Sequence, residues 1–125
     1  MLSVKLKSMG ESILKEKSFD FALEIVHTYK QLRENGEFVM SKQLLRSGTS
    51  IGANITEANM AQSMADFSSK MYIALKEANE TLYRLELLSR AEFLDTSHAN
   101  SIIDSCKELV SMLVATTKKT APRQQ

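Results

Sequence analysis

Residues that interrupt helices are scarce in this chain of 125 residues. It has one proline, Pro122, four glycines and no tryptophan. Because proline and glycine are the usual breakers of regular structure, their scarcity argues against a strand-rich fold with many turns and favours long helices. Hydrophobic residues make up 43% of the chain and charged residues 25%. This composition is ordinary for a folded domain and argues against disorder.

Cysteine occurs once, as Cys106. A single thiol excludes an internal disulfide framework, and its position on an apolar helical stripe predicts a buried, reduced side chain. The first residues lack an apolar core long enough for a secretory signal, and no run of about 18 apolar residues could form a membrane span. We therefore expect a cytoplasmic protein.

The net charge is also small, at +1 from 16 basic and 15 acidic residues. No strong overall field would draw in nucleic acid or an anionic membrane, so any such contact must be local. Positive charge is concentrated near the two ends of the sequence, which we interpret as solvated tails. The alternative is a phosphate-binding patch, formed if several subunits assemble with these ends on one rim. The candidate nucleic-acid contacts are Lys5, Lys7, Lys15, Lys17, Lys118, Lys119 and Arg123.

Four segments carry apolar residues at the three- and four-residue steps of a helix. The predicted helices span about 18–34, 37–60, 63–91 and 95–117. Side chains that accept from free backbone N–H groups are expected at the helix starts, and residues that tolerate the left-handed conformation at the ends. The expected N-caps are Ser18, Ser63 with Asp66 as a capping box, and Asp95 or Thr96, and the expected stop of the first helix is Asn35-Gly36.

The apolar stripes of these helices define the expected core. The stripe of the first predicted helix is Ala22, Ile25, Tyr29 and Leu32, widened by Phe19, Phe21, Leu23 and Val26, and that of the second is Leu44, Gly48, Ile51, Ile55 and Ala58. The stripe of the third is Phe67, Met71, Leu75, Ala78, Leu82 and Leu85, and that of the fourth is Ala99, Ile102, Cys106, Leu109 and Leu113. Short loops between helices predict an all-α, antiparallel up-down-up-down four-helix bundle. We expect one domain over residues 1–125, with an ordered core at about 15–117 between a flexible basic N-terminal segment and a C-terminal tail.

A polar seam runs beside the apolar stripe of the second helix, through Arg46, Ser50, Asn54 and Glu57. We interpret the last three as structural groups that hydrogen-bond between helices or between subunits, with a polar pocket as the alternative. Gly48 and Gly52 form a small-xxx-small pair, which predicts close approach of another helix.

The register of the second and third helices predicts two ion pairs. If these helices form a hairpin about Gln62 and Ser63, residues whose numbers add up to roughly 126 face each other. Arg46 then lies near Glu80, and Glu57 lies near Lys70. We expect these pairs to select the register of the hairpin more than they stabilise it, because exposed ion pairs contribute little.

Enzymatic and metal chemistry find little support in the sequence. Glu24 and His27 match one half of the Glu-x-x-His pattern of di-metal bundles, but Asp95 and His98, the remaining candidates, lie at a predicted helix start. Residues 47–52 lack the Gly-Lys-Ser/Thr ending of a phosphate loop, and no catalytic triad can be assembled. We expect no enzyme, no cofactor and no metal, with a metal-binding or enzymatic bundle using Glu24 and His27 as the alternative.

The segments KSFDFALEIVHTYKQL, SKQLLRSGTSIGANITEA and MADFSSKMYIALKEANETLYRLELL together resemble the 23S rRNA intervening-sequence protein family, also called four helix bundle proteins. The most specific likeness is the run from Ser50 to Glu57, similar to the family's Ser-x-x-Ala-Asn-Ile-Ala-Glu with Thr56 in place of alanine. The resemblance implies a bacterial bundle that assembles as a homopentamer and has no established activity.

These observations lead to one functional hypothesis. We expect a non-enzymatic, oligomeric helical bundle that acts as a scaffold or binding module. Its expected partners are further copies of itself, and RNA or a nucleic-acid-handling protein is a candidate partner suggested by the resemblance.

Overall fold

The structure is a computed structural model that describes the backbone of residues 2–120 and the side chains of residues 13–120. This part of the chain contains four α-helices and no strand. The helices are α1 (Leu2–Glu34), α2 (Met40–Ala58), α3 (Met64–Arg90) and α4 (Thr96–Thr120). The all-α prediction is confirmed. None of the helices in the described residues combines the length and apolarity that crossing a membrane requires.

The predicted start of the first helix is wrong, because α1 begins at Leu2. Ser18 lies inside the helix, where it is fully buried and its hydroxyl donates to the carbonyl oxygen of Lys15 at 2.9 Å. A serine can satisfy its hydroxyl on the preceding turn of its own helix, so a serine ahead of an apolar run does not by itself mark a helix start. No proline occurs before residue 122, so nothing forces a break at residue 18.

The other helix ends follow the predicted capping chemistry closely. Gly36 has a φ of 87° and its N–H bonds to the carbonyl of Arg33, while the N–H of Glu37 bonds to that of Leu32. These are the two hydrogen bonds of a Schellman motif, and the Asn35-Gly36 stop is confirmed. The same motif ends α3, where Glu92 takes the left-handed position with a φ of 66°.

At the start of each of the three later helices, a side-chain oxygen accepts a hydrogen bond from a free backbone N–H group. Ser63 accepts from the backbone N–H of Asp66 at 3.1 Å, and Asp95 accepts from that of His98 at 3.3 Å, so both predicted caps are confirmed. The second helix begins at Met40 instead of 37 and ends at Ala58 instead of 60. Glu37 belongs to the preceding turn, and its carboxylate accepts from the N–H of Ser41 at 2.7 Å.

Each helix contacts its neighbours in the chain, and α4 also returns to contact α1. Along each pair of contacting helices, the residue numbers rise on one helix as they fall on the other. This is the pattern of antiparallel neighbours in a four-helix bundle. Between α1 and α2 the contacts are Ile25 with Gly48 and Ser18 with Gly52, and between α2 and α3 they are Ser47 with Thr81 and Glu57 with Lys70. Between α3 and α4 they are Ala78 with Cys106 and Ser68 with Thr120, and between α1 and α4 they are Thr28 with His98 and Lys17 with Glu108.

The predicted apolar stripes of α2 and α4 are buried as expected, including Ile51 and Leu109. On α3 the buried line passes through Ala74 and Thr81, whereas the predicted Leu75 and Leu82 lie half-buried at its edge. Thr81 fits the interior because its hydroxyl lies 2.7 Å from the carbonyl oxygen of Glu77 and 2.9 Å from Ser47 Oγ. Small side chains are accommodated at the centre of a close helix pair, and the larger leucines cover its flank.

Close approach between α1 and α2 occurs at the two glycines of α2. A Cβ atom built on Gly48 would lie 2.7–2.9 Å from three side-chain atoms of Ile25, which is fully buried. A Cβ atom on Gly52 would lie 3.3 Å from Ser18 Oγ and 3.4 Å from the Ser18 carbonyl oxygen. The predicted close approach is confirmed, and it is tighter at Gly48.

Candidate functional site

Two members of the polar seam of α2, Ser50 and Asn54, make their hydrogen bonds within their own helix. Ser50 Oγ donates to the carbonyl oxygen of Arg46 at 2.6 Å, and Asn54 Nδ2 donates to that of Ser50 at 2.9 Å. These two side chains therefore satisfy their donors on their own helix, and contacts between subunits stay a prediction for them. Glu57, the third member of the predicted set, pairs with Lys70 of α3. The spacing of four residues that made the seam visible in the sequence is also the spacing at which a side chain reaches the carbonyl one turn back.

A charged network instead connects α2 to α3. Arg46 forms ion pairs with Glu80 and, at 3.2 Å, with Glu77. Arg84 lies 3.3 Å from Glu80, and the second pair placed by the register, Lys70 with Glu57, has a separation of 3.5 Å. Burial acts to raise the pKa of Glu80, but hydrogen bonds and charges from Arg46 and Arg84 outweigh it, so the pKa of Glu80 lies below its usual range. The hydrogen bond that Arg46 donates to Glu80 also raises the pKa of Arg46.

We expect a small coupling energy between Arg46 and Glu80. The two side chains are 54% and 36% exposed, so a double-mutant cycle with Arg46→Ala and Glu80→Ala should give about 0.2–1 kcal/mol in urea unfolding. A carboxyl group with a lowered pKa stabilises the fold above its unfolded pKa, so the coupling should disappear as the pH falls through the lowered pKa of Glu80. A coupling unchanged by about 1 M salt would contradict this electrostatic interpretation.

The metal alternative rests on Glu24 and His27, which the structure does not combine with further ligands. His27 is exposed and Glu24 is half-buried. Across residues 13–120, no group of three or more His, Cys, Asp or Glu side chains has an arrangement that could hold a metal ion. The second histidine, His98, is engaged elsewhere, with Nε2 only 2.7 Å from the hydroxyl of buried Thr28.

The single thiol is unsuited to nucleophilic chemistry. Cys106 is fully buried, and its thiol donates to the carbonyl oxygen of Ala78 at an Sγ–O distance of 3.4 Å. Burial, with a smaller contribution from the charge of Glu86, raises the pKa of Cys106 to about 12. Because the thiolate is the reactive form, this side chain is chemically inert at neutral pH.

The predicted basic contacts are not all equivalent. Lys17 forms an ion pair with Glu108 of α4, and that hydrogen bond and charge raise the pKa of Lys17. Lys15, Lys118 and Lys119 are exposed. Lys118 and Lys119 lie in the last turn of α4, and Lys15 lies in the N-terminal half of α1. The side chains of Lys5 and Lys7, and Arg123 with the remainder of the predicted C-terminal tail after residue 120, lie outside the described residues.

Several apolar residues of α1 that we predicted to lie in the core are exposed, and the prediction is wrong for them. Phe19 is 64% exposed and Leu23 is 48% exposed, while Ala22 and Val26 are half-buried beside them. We call these four residues the α1 face. The buried side of α1 is a separate line, which turns the α1 face away from the centre of the bundle. That line consists of Leu14, Phe21, Ile25 and Leu32. The sequence did contain the signal, because the apolar set of this helix is wider than one stripe.

A groove lies between the α1 face and α2. It has a volume of about 670 Å³, and we call it the α1–α2 groove. Small side chains form its α2 wall, since Gly52, Ala53 and Thr56 lie there. Its other lining residues are Lys15, Glu16, Ser18, Phe19 and Ala22. The same short side chains that allow close helix packing therefore leave an open concave surface beside exposed Phe19.

A second apolar surface lies on the outside of α3. Tyr72 is 44% exposed, Tyr83 is 64% exposed, and Ile73 and Leu87 are exposed with them. We call these four residues the α3 face. Within residues 13–120, neither α2 nor α4 carries an exposed large hydrophobic side chain. Among the helices described here, the large apolar side chains that are exposed therefore lie on α1 and α3.

Comparison with known proteins agrees with this architecture. The family described as 23S rRNA-intervening sequence protein matches residues 11–115. A crystal structure of a protein of unknown function from the S23 ribosomal protein family of Bacteroides thetaiotaomicron is similar, with a TM-score of 0.84 and 54% sequence identity. The similarity covers 87% of this chain and 98% of that one. No curated protein matches significantly. A family match over most of the length, together with an identity this high, places the chain in the 23S rRNA-intervening sequence protein family.

Proposed function

We propose that this protein is a non-enzymatic helical bundle that assembles with further copies of itself and acts as a scaffold or binding module. The observation that carries the proposal is the α1 face, where large apolar side chains lie exposed beside an apolar groove. Contiguous exposed apolar surface of this kind typically marks an interaction site. The pentamer implied by the family resemblance is the assembly we expect.

The energetics of the α1 face support assembly. Full burial of a Leu or Phe side chain contributes about 1.5–3 kcal/mol, so each half-exposed residue such as Leu23 retains part of that free energy for an interface. The net charge of +1 means that copies of the chain repel one another only weakly. The non-enzymatic part of the proposal is supported by the inert Cys106 thiol and by the contact that occupies Nε2 of His98 with the Thr28 hydroxyl.

Light scattering coupled to size exclusion tests the proposal. We expect a particle of several 14.0 kDa chains at micromolar concentration, with five as the number that the resemblance implies. The double substitution Phe19→Glu and Leu23→Glu should reduce it to monomers, because it places charge in the interface. Ala115→Glu, on the polar outer side of α4, is the matched control and should leave the mass unchanged. A monomeric wild-type protein at these concentrations would reject the proposal.

Phosphate-backbone contact with RNA is a second candidate function, favoured by one feature. Lys118 and Lys119 lie in the last turn of α4, and exposed Lys15 lies in the N-terminal half of α1, which runs beside the C-terminal half of α4. In an assembly with these ends on one rim, their charges add. Lys17 contributes less to such a surface because Glu108 neutralises it.

A salt-dependent gel shift with structured ribosomal RNA tests this candidate. Lys118→Glu with Lys119→Glu should weaken binding and lower the slope of log affinity against log salt by about one for each lysine–phosphate ion pair removed. Lys42→Glu with Lys107→Glu makes the same change of charge at exposed sites elsewhere on the bundle. Equal effects of the two pairs of substitutions would indicate non-specific attraction and exclude a site at this end.

A further inference from the structure

We propose that the copies meet head to tail, with the α3 face of one copy packed on the α1–α2 groove of the next and Tyr72 seated in that groove. This inference rests on the proposed self-assembly and specifies its two contact surfaces. It follows from where the apolar surfaces lie, from their shapes and from their heights along the bundle.

The two apolar faces occupy opposite corners of the bundle. Both α1 and α3 contact α2 and α4, whereas α1 and α3 make no contact with each other in the described part of the chain. A two-fold contact through the α1 face alone would leave the α3 face exposed on both copies. A head-to-tail contact joins two different surfaces and covers both faces of every copy once the assembly closes.

The shapes of the two surfaces are complementary. The α1–α2 groove is concave because Gly52 and Ala53 supply almost no side chain to its wall. The α3 face is formed by protruding rings, of which Tyr72 is 44% exposed. A tyrosine suits such a groove because its ring is apolar and its hydroxyl needs a polar partner, and Glu16 and Thr56 line the groove as acceptors.

The heights of the two surfaces also agree. Ser47 and Glu57 of α2 contact Thr81 and Lys70 of α3, and Gly52 lies midway between those two α2 positions. The groove around Gly52 is therefore level with the stretch of α3 between Lys70 and Thr81. That stretch contains Tyr72 and Ile73. Rotation about an axis parallel to the bundle brings surfaces of equal height together without a rise. A contact without a rise is compatible with a closed ring, whereas a rise would generate a helical filament.

Mixing two assembly-defective variants tests the head-to-tail contact. One variant carries Phe19→Glu and Leu23→Glu and keeps its α3 face; the other carries Tyr72→Glu and Ile73→Glu and keeps its groove. Each should be a folded monomer by circular dichroism and light scattering. An equimolar mixture can form one interface and no more, so we expect a complex of two chains. Tyr72→Ala with wild-type Ile73 and Ala53→Trp, which fills the groove, are milder versions of the two variants in case the glutamates disturb folding.

The outcomes separate this inference from the proposed function. If wild-type protein assembles and the α3 variant assembles equally well, copies meet through another surface and the head-to-tail contact is rejected while self-assembly stands. If both variants are monomeric and their mixture stays monomeric beside an assembling wild type, the pairing of these two surfaces is likewise rejected. A monomeric wild type rejects both proposals together.

Discussion

Replacing Gly48 by alanine should lower the free energy of unfolding by up to about 2 kcal/mol, as measured in urea at fixed protein concentration. The new Cβ atom would lie 2.7–2.9 Å from three atoms of Ile25, a branched side chain with no room to move in a fully buried position. Overpacking of this kind costs about 1–3 kcal/mol. The higher helix propensity of alanine offsets about 1 kcal/mol of that cost.

Gly52→Ala is the matched control for Gly48→Ala, since it makes the same chemical change four residues away on the same helix. Its Cβ atom would meet Ser18 at 3.3–3.4 Å, a contact that a few tenths of an ångström relieve. We expect no loss of stability there. Ile25→Ala removes the atoms that Gly48→Ala would contact, so the double variant should be more stable than the sum of the two single losses predicts. Equal effects of the two glycine substitutions would contradict the assignment of the closest helix approach to Gly48.

At a pH of about 8, Cys106 should react with thiol reagents at least about a thousandfold more slowly in the folded protein than in protein unfolded by urea. Burial raises the pKa of Cys106 from 9.0 to about 12, which reduces the thiolate population by about three orders of magnitude before steric protection is counted. Alkylation followed by mass spectrometry measures the ratio. Rapid labelling of folded protein, at a rate independent of urea, would contradict the burial of this side chain in α4.

The same pKa predicts how stability changes with pH. Between pH 9 and pH 12 the folded state retains the Cys106 proton while the unfolded chain loses it, so the free energy of unfolding falls as the pH rises. The slope attributable to this group approaches about 1.4 kcal/mol per pH unit. Comparison with Cys106→Ala over a pH range of about 8–10 isolates this slope from the lysines and tyrosines, because the variant lacks the ionising thiol.

The sequence correctly predicted the structural roles of residues whose contacts lie within one helix or one turn. The Asn35-Gly36 stop, the Ser63 and Asp95 caps and the buried stripe from Ala99 to Leu113 of α4 all depend on neighbours within a few positions. The start of α1 was missed for a related reason. A serine whose hydroxyl bonds to the preceding turn has the same sequence pattern as one that caps a helix, so Ser18 could not be distinguished from a cap without the fold.

The chain by itself determined that four amphipathic helices form and which positions of α2 and α4 face the core, because three- and four-residue periodicity and capping are properties of a single helix. Only the tertiary structure decided which apolar residues of α1 remain outside. Phe19 and Ile25 are equally apolar, and they differ because α2 approaches the Ile25 side closely at Gly48 and leaves Phe19 beside an open groove. A periodic pattern records the apolar residues of a helix, whereas their burial depends on where the neighbouring helices lie, and that arrangement is a property of the packed bundle.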